Sequence, residues 1–376
     1  MKITIIGPAH PYRGGIALFS NRLADALVEE GHAVNLVTFK MQYPGFLFPG
    51  KTQFSEDKNT SEINTLRVIN SVNPFNWIKI GKQIKAEAPD LVIFKYWMPF
   101  MAPCFGTIAK ILKKNKKIKV IALVHNLVPH EKRTGDTLLT SYFVKRIGGF
   151  VAMSQSVLDD INVFDSVKPK SLSPHPLYDN FGTIKTREEA LKALGLDPEF
   201  NYMLFFGIVR KYKGLDILLE AFADERLNNG KTKLLVAGEF YEADAEYMEL
   251  IEKYKLTDSV MLTKSFVADH EVVNYFCAAD IIVQPYRTAT QSGVTQIAYH
   301  FDKPMLVTDV GGLKEIVPHN KVGYVVDPAP KAVADALVDF YQNHRADELI
   351  SGVQDEKKKY SWSKMVETIQ SLYKKI

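Results

Sequence analysis

The sequence is poor in cysteine and has no long apolar run. Only two of its 376 residues are cysteines, Cys104 and Cys277, which lie far apart in apolar surroundings. This excludes a disulfide framework and a cysteine-based zinc site, and it is typical of the reducing cytosol. The most hydrophobic window, 96–109, is interrupted by Pro99 and Pro103, and it is shorter than the roughly 20 apolar residues that span a bilayer. We therefore expect a cytoplasmic protein without a membrane-spanning helix.

A strong net charge is also missing. The balance of 47 basic and 43 acidic residues gives only +4, which is too small to indicate a nucleic-acid-binding protein. Hydrophobic residues make up 46% and charged residues 24% of the chain, a composition typical of globular proteins. One stretch departs from this mixture, because six lysines fall within residues 110–119. We expect them to form a basic face on one domain.

Short β-branched runs alternate with amphipathic, helix-length segments along nearly the whole chain. Repeated strand–helix units predict parallel sheets that are covered on both faces. Two such series indicate two doubly wound domains, at residues 1–178 and 179–358, followed by a C-terminal helix within 359–376. The domain boundary is expected in the segment 173–186, which is rich in Pro, Gly, Asn and Ser. The predicted strands are 3–7, 33–39, 91–94, 120–125, 150–154, 202–206, 233–238, 260–263, 281–285 and 305–308.

Ligands of doubly wound sheets bind beyond the carboxyl ends of the strands. The predicted strand 202–206 is followed there by a basic loop that contains Arg210, Lys211 and Lys213. Arginine and lysine at such a position suit a diphosphate, since arginine gives bidentate contacts and lysine a point charge. We expect Arg210 and Lys213 to be exposed; a solvated turn without a ligand is the alternative. After strand 281–285, residues 292–294 are expected to open a helix whose amides face the ligand.

The first domain offers fewer candidates. His125 ends a predicted strand, where it is suited to donate a hydrogen bond to phosphate or sugar oxygens, although a structural role is the alternative. Gly14 and Gly15 stand where a helix is expected to start, and they allow a ligand to approach the backbone. The G-x-G-x-x-G fingerprint is absent, which disfavours a nicotinamide dehydrogenase. His125 and His130 do not form an H-E-x-x-H zinc site.

Several segments together resemble the family-four (group 1) retaining glycosyltransferases of the GT-B fold. They are RGGI, RKYKG, AGEF, FVADHEV and PYRTATQSGV, which occur in the expected order over essentially the whole chain. TFKMQYPGFLFPGKTQ and HNLVPHE are similar to a bacterial subgroup that builds cell-surface polysaccharides. The resemblance implies two Rossmann-like domains facing a central cleft. The first domain would bind the acceptor and the second the nucleotide sugar, and the last helix would cross back to the first.

The resemblance also implies an activity and a set of site residues. The enzyme would move a hexose-type sugar from a nucleoside-diphosphate donor to a glycan or lipid-linked acceptor with retention, without a metal or other cofactor. The catalytic residues would be His125, Arg210 and Lys213, and Arg13, His130 and Glu131 would lie on the acceptor side. The donor would contact Gly14, Gly15, Gly238, Glu239, Phe240, Val267, Gln291, Ser292, Gly293, Val294 and Gln296.

The sequence departs from the family at two places. The segment after strand 281–285 lacks the paired glutamates that bind donor sugar and ribose in the family, and Gln291 and Gln296 are the nearest polar substitutes. The basic loop from Arg210 to Lys213 is also shortened. A catalytically weak or inactive donor-binding protein therefore stays open as an alternative. A nucleotide-sugar 2-epimerase is a further one, although the acidic cluster expected of it is not visible.

The six lysines within 110–119 have two interpretations. One is a solvated helix face. The other is a patch that docks on anionic lipid at the inner face of the plasma membrane, where each basic residue contributes about 1 kcal/mol. In that case Trp97, Met98, Phe100 and Met101 are expected to insert shallowly or to line the site of a polyprenyl-diphosphate-linked acceptor.

Overall fold

A computed structural model describes residues 1–45, 52–55, 63–128, 133–289 and 292–376 of the protein. These residues form two compact units. The first unit is Met1–Pro176 together with Ser361–Ile376, and the second unit is Leu177–Tyr360. The amide of Leu177 donates to the carbonyl oxygen of Tyr360 at 3.0 Å, so the chain enters and leaves the second unit at adjacent points. Both crossings lie two residues from the boundaries expected from the sequence.

The first unit contains a parallel sheet of seven strands with the order β3-β2-β1-β4-β5-β6-β7. The order reverses direction between β1 and β4, which is where a doubly wound sheet opens a crevice for ligands. Up to the end of the sheet, the elements in chain order are β1 Lys2–Ile6, α1 Gly15–Glu29, β2 Ala33–Met41, β3 Thr65–Asn70, α2 Pro74–Glu87, β4 Leu91–Tyr96, α3 Ala102–Leu112, β5 Lys119–Val124, α4 Asp136–Val144, β6 Gly149–Ala152, α5 Gln155–Phe164 and β7 Lys170–Leu172.

The second unit repeats this plan with six parallel strands in the order β10-β9-β8-β11-β12-β13. Here the reversal falls between β8 and β11. The remaining elements are α6 Arg187–Leu194, β8 Asn201–Phe206, α7 Leu215–Phe222, β9 Thr232–Ala237, α8 Ala245–Lys253, β10 Val260–Thr263, α9 Val272–Ala278, β11 Ile281–Gln284, α10 Gly293–His300, β12 Met305–Thr308, α11 Leu313–Ile316, β13 Gly323–Val326, α12 Pro330–Gln342, α13 Ala346–Glu356 and α14 Trp362–Lys375.

All ten predicted strands are present, and the described residues form three further strands that were missed for identifiable reasons. In the edge strand β3 only Ile69 is fully buried, so its sequence carries little apolar signal. Strand β7 has three residues and none of them is buried. Strand β13 begins with Gly323, which weakens any strand pattern. The central strand β4 shows the opposite extreme, because all six of its residues are buried.

Helix α14 belongs to the first unit, as the prediction of a helix that crosses back required. Its apolar face contains Trp362, Met365, Ile369 and Leu372, which are at most 5% exposed, and the helix packs against α1, β6 and β7. Each such side chain contributes about 1.5–3 kcal/mol when it is removed from water. The segment after Tyr360 therefore helps to hold the first unit together.

Candidate active site

The loop between β8 and α7 carries the basic residues, and the second unit holds it tightly. At Gly214, which has a φ of +68°, a Cβ atom would lie 2.1 Å from the carbonyl oxygen of Pro285. At Gly238 a Cβ atom would lie 2.0 Å from the carbonyl oxygen of Gly207. Any side chain at either position would collide with backbone. Glycine at these two places thus lets the loops after β8, β9 and β11 pack directly on one another.

This packing leaves the side chain of Lys213 buried. It is only 9% exposed, so the prediction of an exposed side chain is wrong. The loop packs on the residues after β11 through Gly214, and this directs the lysine towards the protein. Its Nζ lies 3.1 Å from the place where a Cβ of Gly207 would be and 5.4 Å from the centre of the Tyr286 ring. Burial lowers the pKa of Lys213, and the charge of Arg210 lowers it further.

Arg210 is more open than Lys213. Its side chain is 39% exposed, and its Nε lies 3.8 Å from a carboxylate oxygen of Glu242. The guanidinium carbon lies 5.9 Å from the centre of the Tyr212 ring. Arg210 is therefore partly neutralised in the absence of a ligand, whereas Lys213 is largely withdrawn from water. A withdrawn charge acts more strongly on a nearby anion because the surrounding dielectric is lower.

The predicted helix after β11 is present and begins at the same edge of the sheet. Helix α10 starts at Gly293, and its N-cap Ser292 accepts a hydrogen bond from the amide of Val294 at 3.2 Å. The side chain of Val294 approaches the Cβ position of Gly207 to 3.8 Å. The positive end of a helix dipole therefore lies beside the loop that carries Lys213. Both features stand at the reversal point between β8 and β11.

An ion pair that sequence reasoning missed joins the first turn of α7, which follows the basic loop, to the loop after β11. Arg287 donates to both carboxylate oxygens of Asp216, at 2.7 and 2.5 Å, and its backbone amide donates to the carbonyl oxygen of Tyr212 at 2.7 Å. Although burial raises the pKa of Asp216, the hydrogen bonds and charge of Arg287 outweigh it and hold that pKa below its usual value. The pair therefore fixes the basic loop against the loop after β11. No sequence pattern pointed to it.

The other residues that were predicted to contact the donor differ in their surroundings. Glu239 and Val267 are buried, and the Phe240 ring stands edge-on to Tyr247 with centroids 5.8 Å apart. Gln296 in α10 is fully buried, and both its amide atoms lack a hydrogen-bond partner among the described residues. Gln291 lies outside the described residues. A nucleobase pocket at Glu239, Phe240 and Val267 stays a prediction.

In the first unit, α1 begins at Gly15, with Gly14 as its N-cap at a φ of +97°. The amide of Arg13 donates to the carbonyl oxygen of Gln53 at 3.0 Å. The prediction that these glycines open a helix is confirmed, while their contact with a diphosphate stays a prediction. The other two acceptor-side candidates, His130 and Glu131, lie outside the described residues.

His125 follows β5 directly and is 5% exposed. Its ring meets the edge of Phe19 with centroids 5.2 Å apart, and the ring of His175 lies 6.3 Å away. Burial lowers the pKa of His125 well below its ordinary value, and the neighbouring Lys95 and His175 lower it further. An imidazole held neutral in this way keeps one ring nitrogen able to accept a hydrogen bond. Sequence reasoning missed Lys95 and His175.

Two known family models match this chain. A model described as "Glycosyltransferase Family 4" matches residues 13–172, and one described as "Glycosyl transferases group 1" matches residues 186–353. Together they cover most of the chain. The chain belongs to the group 1, family-four glycosyltransferases. The basic loop, the start of α10 and the Asp216–Arg287 pair all lie in the part that the group 1 model matches.

Two related sequences and one solved structure illustrate the similarity of this glycosyltransferase to known proteins. An uncharacterized glycosyltransferase of Methanocaldococcus jannaschii is 24% identical over 100% of this chain and 99% of its own length. The lipopolysaccharide core biosynthesis mannosyltransferase LpsB of Rhizobium meliloti is 29% identical over 41% of this chain and 45% of its own length. The structure of Anabaena HepE in complex with UDP and glucose is 14% identical, covers 100% of both chains and has a TM-score of 0.76. The predicted GT-B fold is confirmed.

The lysines within 110–119 lie on the first unit, and the apolar residues before them do not accompany them. Helix α3 begins directly after Met101 and carries Lys110 in its last turn, so about 14 Å of helix at 1.5 Å per residue separates these two residues. Trp97 is 9% exposed and Met101 is fully buried, because Trp97 packs against Phe39 and donates to the hydroxyl of Tyr43 at 2.9 Å. The predicted insertion of Trp97 and Met101 into lipid is therefore wrong, whereas insertion of the half-buried Met98 and Phe100, and the alternative of a lipid-linked acceptor site, stay predictions. Among the described residues, no helix is both long and apolar enough to cross a bilayer.

Proposed function

We propose that this glycosyltransferase moves a hexose-type sugar from a nucleoside-diphosphate donor to a glycan or a lipid-linked acceptor, with retention of configuration. The observation that supports it best is the arrangement around Gly207, where the buried Lys213 and the start of α10 lie side by side. Negative charge develops on the leaving diphosphate as the glycosidic bond breaks. A preorganised cation and helix amides stabilise such a charge and typically contribute about 10²-fold or more in rate.

The proposed route is a front-face transfer. The acceptor hydroxyl attacks the anomeric carbon from the side that the diphosphate leaves, and the leaving phosphate takes the hydroxyl proton. The 17 residues that follow β11, 285–301, contain no acidic residue, so this segment supplies no carboxylate for a double displacement. Arg210 and Lys213 neutralise the leaving group, and we propose that they replace a metal ion in this role. His125 accepts a hydrogen bond from the donor sugar.

A two-stage experiment tests the proposal. Binding of UDP-, GDP-, ADP- and CMP-sugars is first measured by thermal shift, because a ligand that binds only the folded state raises its apparent stability. UDP-sugars come first, since the structurally similar HepE is known in complex with UDP and glucose. Release of the nucleoside diphosphate is then followed with and without glycan acceptors. NMR of the product gives the anomeric configuration, and an excess of EDTA is expected to leave the rate unchanged.

The outcomes separate the alternatives. Acceptor-dependent release of the nucleoside diphosphate identifies a transferase. Donor binding without any release indicates a donor-binding protein, which the absence of the paired glutamates keeps open. Release without an acceptor, together with an altered sugar, indicates an epimerase. An inverted product would contradict the proposed retention.

We further propose that the acceptor belongs to a cell-surface polysaccharide and that Lys110–Lys119 dock the enzyme on anionic lipid. Similarity to a lipopolysaccharide core mannosyltransferase supports the first part. The second part is supported by five exposed lysines in this stretch, while Lys119 donates to the carbonyl oxygen of Tyr373 at 2.8 Å. Sedimentation with anionic vesicles at low and high salt tests the docking, since salt screens surface charge.

The matched variants each change four exposed lysines to glutamate. The test set is Lys110, Lys114, Lys116 and Lys117, and the control set in the second unit is Lys192, Lys231, Lys253 and Lys255. Only the test set is expected to abolish sedimentation, by removing about 1 kcal/mol per lysine. Equal loss in both sets would mean that net charge alone binds the vesicles, and no loss in either would rule out the patch.

A further inference from the structure

A lysine lies in the middle of the first sheet, at the point where its strand order reverses. Lys95 is the fifth of the six residues of β4, and β4 pairs with β1 on one side and β5 on the other. A Cβ atom at Gly7, just after β1, would lie 2.7 Å from Cβ of Lys95. Glycine at this position therefore makes room for the lysine stem. The reversal point is where doubly wound sheets take their ligands.

The amine of Lys95 lies in apolar surroundings. The residue is 0% exposed, and its Nζ has no hydrogen-bond partner among the residues that the structure describes. The amine lies over the face of the Phe19 ring, whose centre is 3.2 Å from Nζ. An aromatic face attracts an ammonium but replaces only part of the hydration that the ion loses. A lysine in this position binds its proton weakly, and burial lowers the pKa of Lys95 well below its ordinary value.

Phe19 connects this amine to two buried histidines. The ring centroid of Phe19 lies 5.2 Å from that of His125 and 4.8 Å from that of His175, and both contacts are edge-on. His175 Nδ1 donates to the carbonyl oxygen of Pro176 at 2.7 Å. Burial lowers the pKa of His175 to about 3, and the Lys95 charge contributes to the shift. His175 is therefore a neutral imidazole at physiological pH.

The cluster of Lys95, His125 and His175 holds few protons because like charges repel strongly at low dielectric. The charge of Lys95 in β4 and that of His175 in the segment after β7 both lower the pKa of His125, while α1 contributes the Phe19 ring that contacts it. Lysine has the higher intrinsic proton affinity, and only Lys95 lies over an aromatic face. The first proton that enters the cluster therefore goes to Lys95.

We propose that Lys95 is a positioning residue for His125: it takes the cluster's proton ahead of the imidazole, and it thereby keeps a nitrogen of His125 free of added charge and able to accept a hydrogen bond from the donor sugar. The role at the sugar rests on the function proposed above. The order in which the two groups take a proton does not, and it can be measured without any substrate.

The decisive measurement is an NMR titration of the histidine rings in the full-length protein, with the His125 signal assigned from a His125→Gln variant. The Lys95→Met variant keeps the length and apolar stem of the side chain but removes the amine. We expect the midpoint of His125 to rise by about one pH unit in this variant. Lys119→Met is the matched control, because Lys119 opens the neighbouring strand β5 and donates to Tyr373 instead. It should leave the midpoint unchanged.

A second readout links the proton order to catalysis. If the protein transfers sugar as proposed, the acidic limb of kcat/KM should move upward by a similar amount in Lys95→Met, while kcat/KM above pH 8 changes little. A merely structural lysine would instead lower kcat/KM at every pH. If no transfer is found at all, the proposed function fails, and the NMR midpoint still decides the role of Lys95.

An unchanged His125 midpoint in Lys95→Met overturns the inference. The same holds if the His125 ring stays neutral in wild type and in Lys95→Met until acid unfolds them, because burial alone would then keep the ring neutral. Should Lys95→Met not fold, the wild-type protein supplies the answer through the nitrogen signal of the Lys95 amine. The amine must titrate at a higher pH than His125. The reverse order would likewise overturn the inference.

Discussion

Each unit of this glycosyltransferase buries one lysine near the reversal point of its sheet, and the two lysines differ in their surroundings. Lys213 follows a strand, stands in a loop between Arg210 and α7, and faces Gly207 and Tyr286. Lys95 lies within a strand, with its amine on the Phe19 ring. The first retains a little exposure, at 9%, and the second has none. Lys213 is thus placed to meet an anion, whereas Lys95 acts on its protein neighbours.

In the roles that we propose for the two lysines, burial of a charge has two distinct uses. At Lys213 it strengthens the attraction to a ligand phosphate, because water is already excluded from the cation. At Lys95 it lowers the proton affinity of His125 and His175, because a second positive charge in the buried cluster would be repelled by the first. The same substitution to methionine should therefore have different consequences at the two positions.

The largest effect is expected from Lys213→Met, which keeps the stem and removes the charge. Turnover should fall by about 10²-fold or more, as it does when a donor to a developing oxyanion is lost. Arg210→Ala should have a comparable effect. Lys211→Met is the control, because Lys211 belongs to the same loop, is 67% exposed at its side chain and lies 3.6 Å from a carboxylate oxygen of Glu246. Steady-state kinetics of purified, folded variants measure the difference, and wild-type turnover by Lys213→Met would remove it from the mechanism.

The next effect concerns the histidine that Lys95 is proposed to serve. His125→Ala should lower transfer by about 10-fold to 10²-fold while the affinity for the nucleoside diphosphate stays nearly constant, since the proposed partner of His125 is the sugar. Isothermal titration with the diphosphate, beside the transfer assay, separates the two quantities. A variant that loses cooperative unfolding would show instead that His125 is a core residue.

The two lysines also show how far the sequence could predict this molecule. Lys213 belongs to a basic run after a predicted strand, so its place at the sheet edge followed from the pattern, although its burial depends on how Gly214 packs against Pro285. Lys95 interrupts an apolar strand, and a single letter there does not reveal Phe19 or His175, which come from distant parts of the chain. The Asp216–Arg287 pair was missed for the same reason, since a contact between the start of a helix and a distant loop leaves no periodic trace.

The apolar residues before the lysine stretch show where the sequence allowed two interpretations. Trp97 and Met101 follow a strand and precede a helix, and a hydrophobic window of this kind fits a lipid contact as well as a core. The decision comes from partners elsewhere in the chain, such as Tyr43 and Phe39, which cover Trp97. The fold followed from repeated short patterns, whereas the burial of particular side chains depends on long-range contacts.

A smaller effect is expected from the substitution of Arg287, because this residue holds the loop that carries Lys213 in place. Arg287→Met breaks the pair with Asp216 and loosens the basic loop, and loss of a charged, bidentate hydrogen bond at a partly exposed site costs about 1 kcal/mol. Donor affinity should weaken by about 5-fold, with a smaller change in kcat. Arg226→Met is the control, since Arg226 bonds Asp224 and Asp335 away from these loops. A donor affinity equal to that of wild type would show that the loop keeps its position without the pair.

The last expected effect concerns stability and not activity: it is a difference in how the free energy of unfolding depends on pH. The folded protein disfavours the charged form of Lys95, whereas the unfolded chain holds that proton up to the ordinary lysine pKa. Stability should therefore rise with pH between the lowered pKa of the folded state and the ordinary value, because the unfolded state binds more protons in this window. Lys95→Met should remove up to about 1.4 kcal/mol of this rise per pH unit.

The tryptophans allow this rise to be assigned to one unit. All three, Trp77, Trp97 and Trp362, lie in the first unit, so their fluorescence during urea unfolding reports on the surroundings of Lys95. Measured at pH 7, 8 and 9, the midpoint of Lys95→Met should climb less steeply than that of wild type. Lys213→Met is the control, because its lysine lies in the second unit and should leave this slope as it is. Equal slopes in wild type and Lys95→Met would mean that Lys95 keeps its proton as readily as an exposed lysine. The difference between the two buried lysines would then vanish.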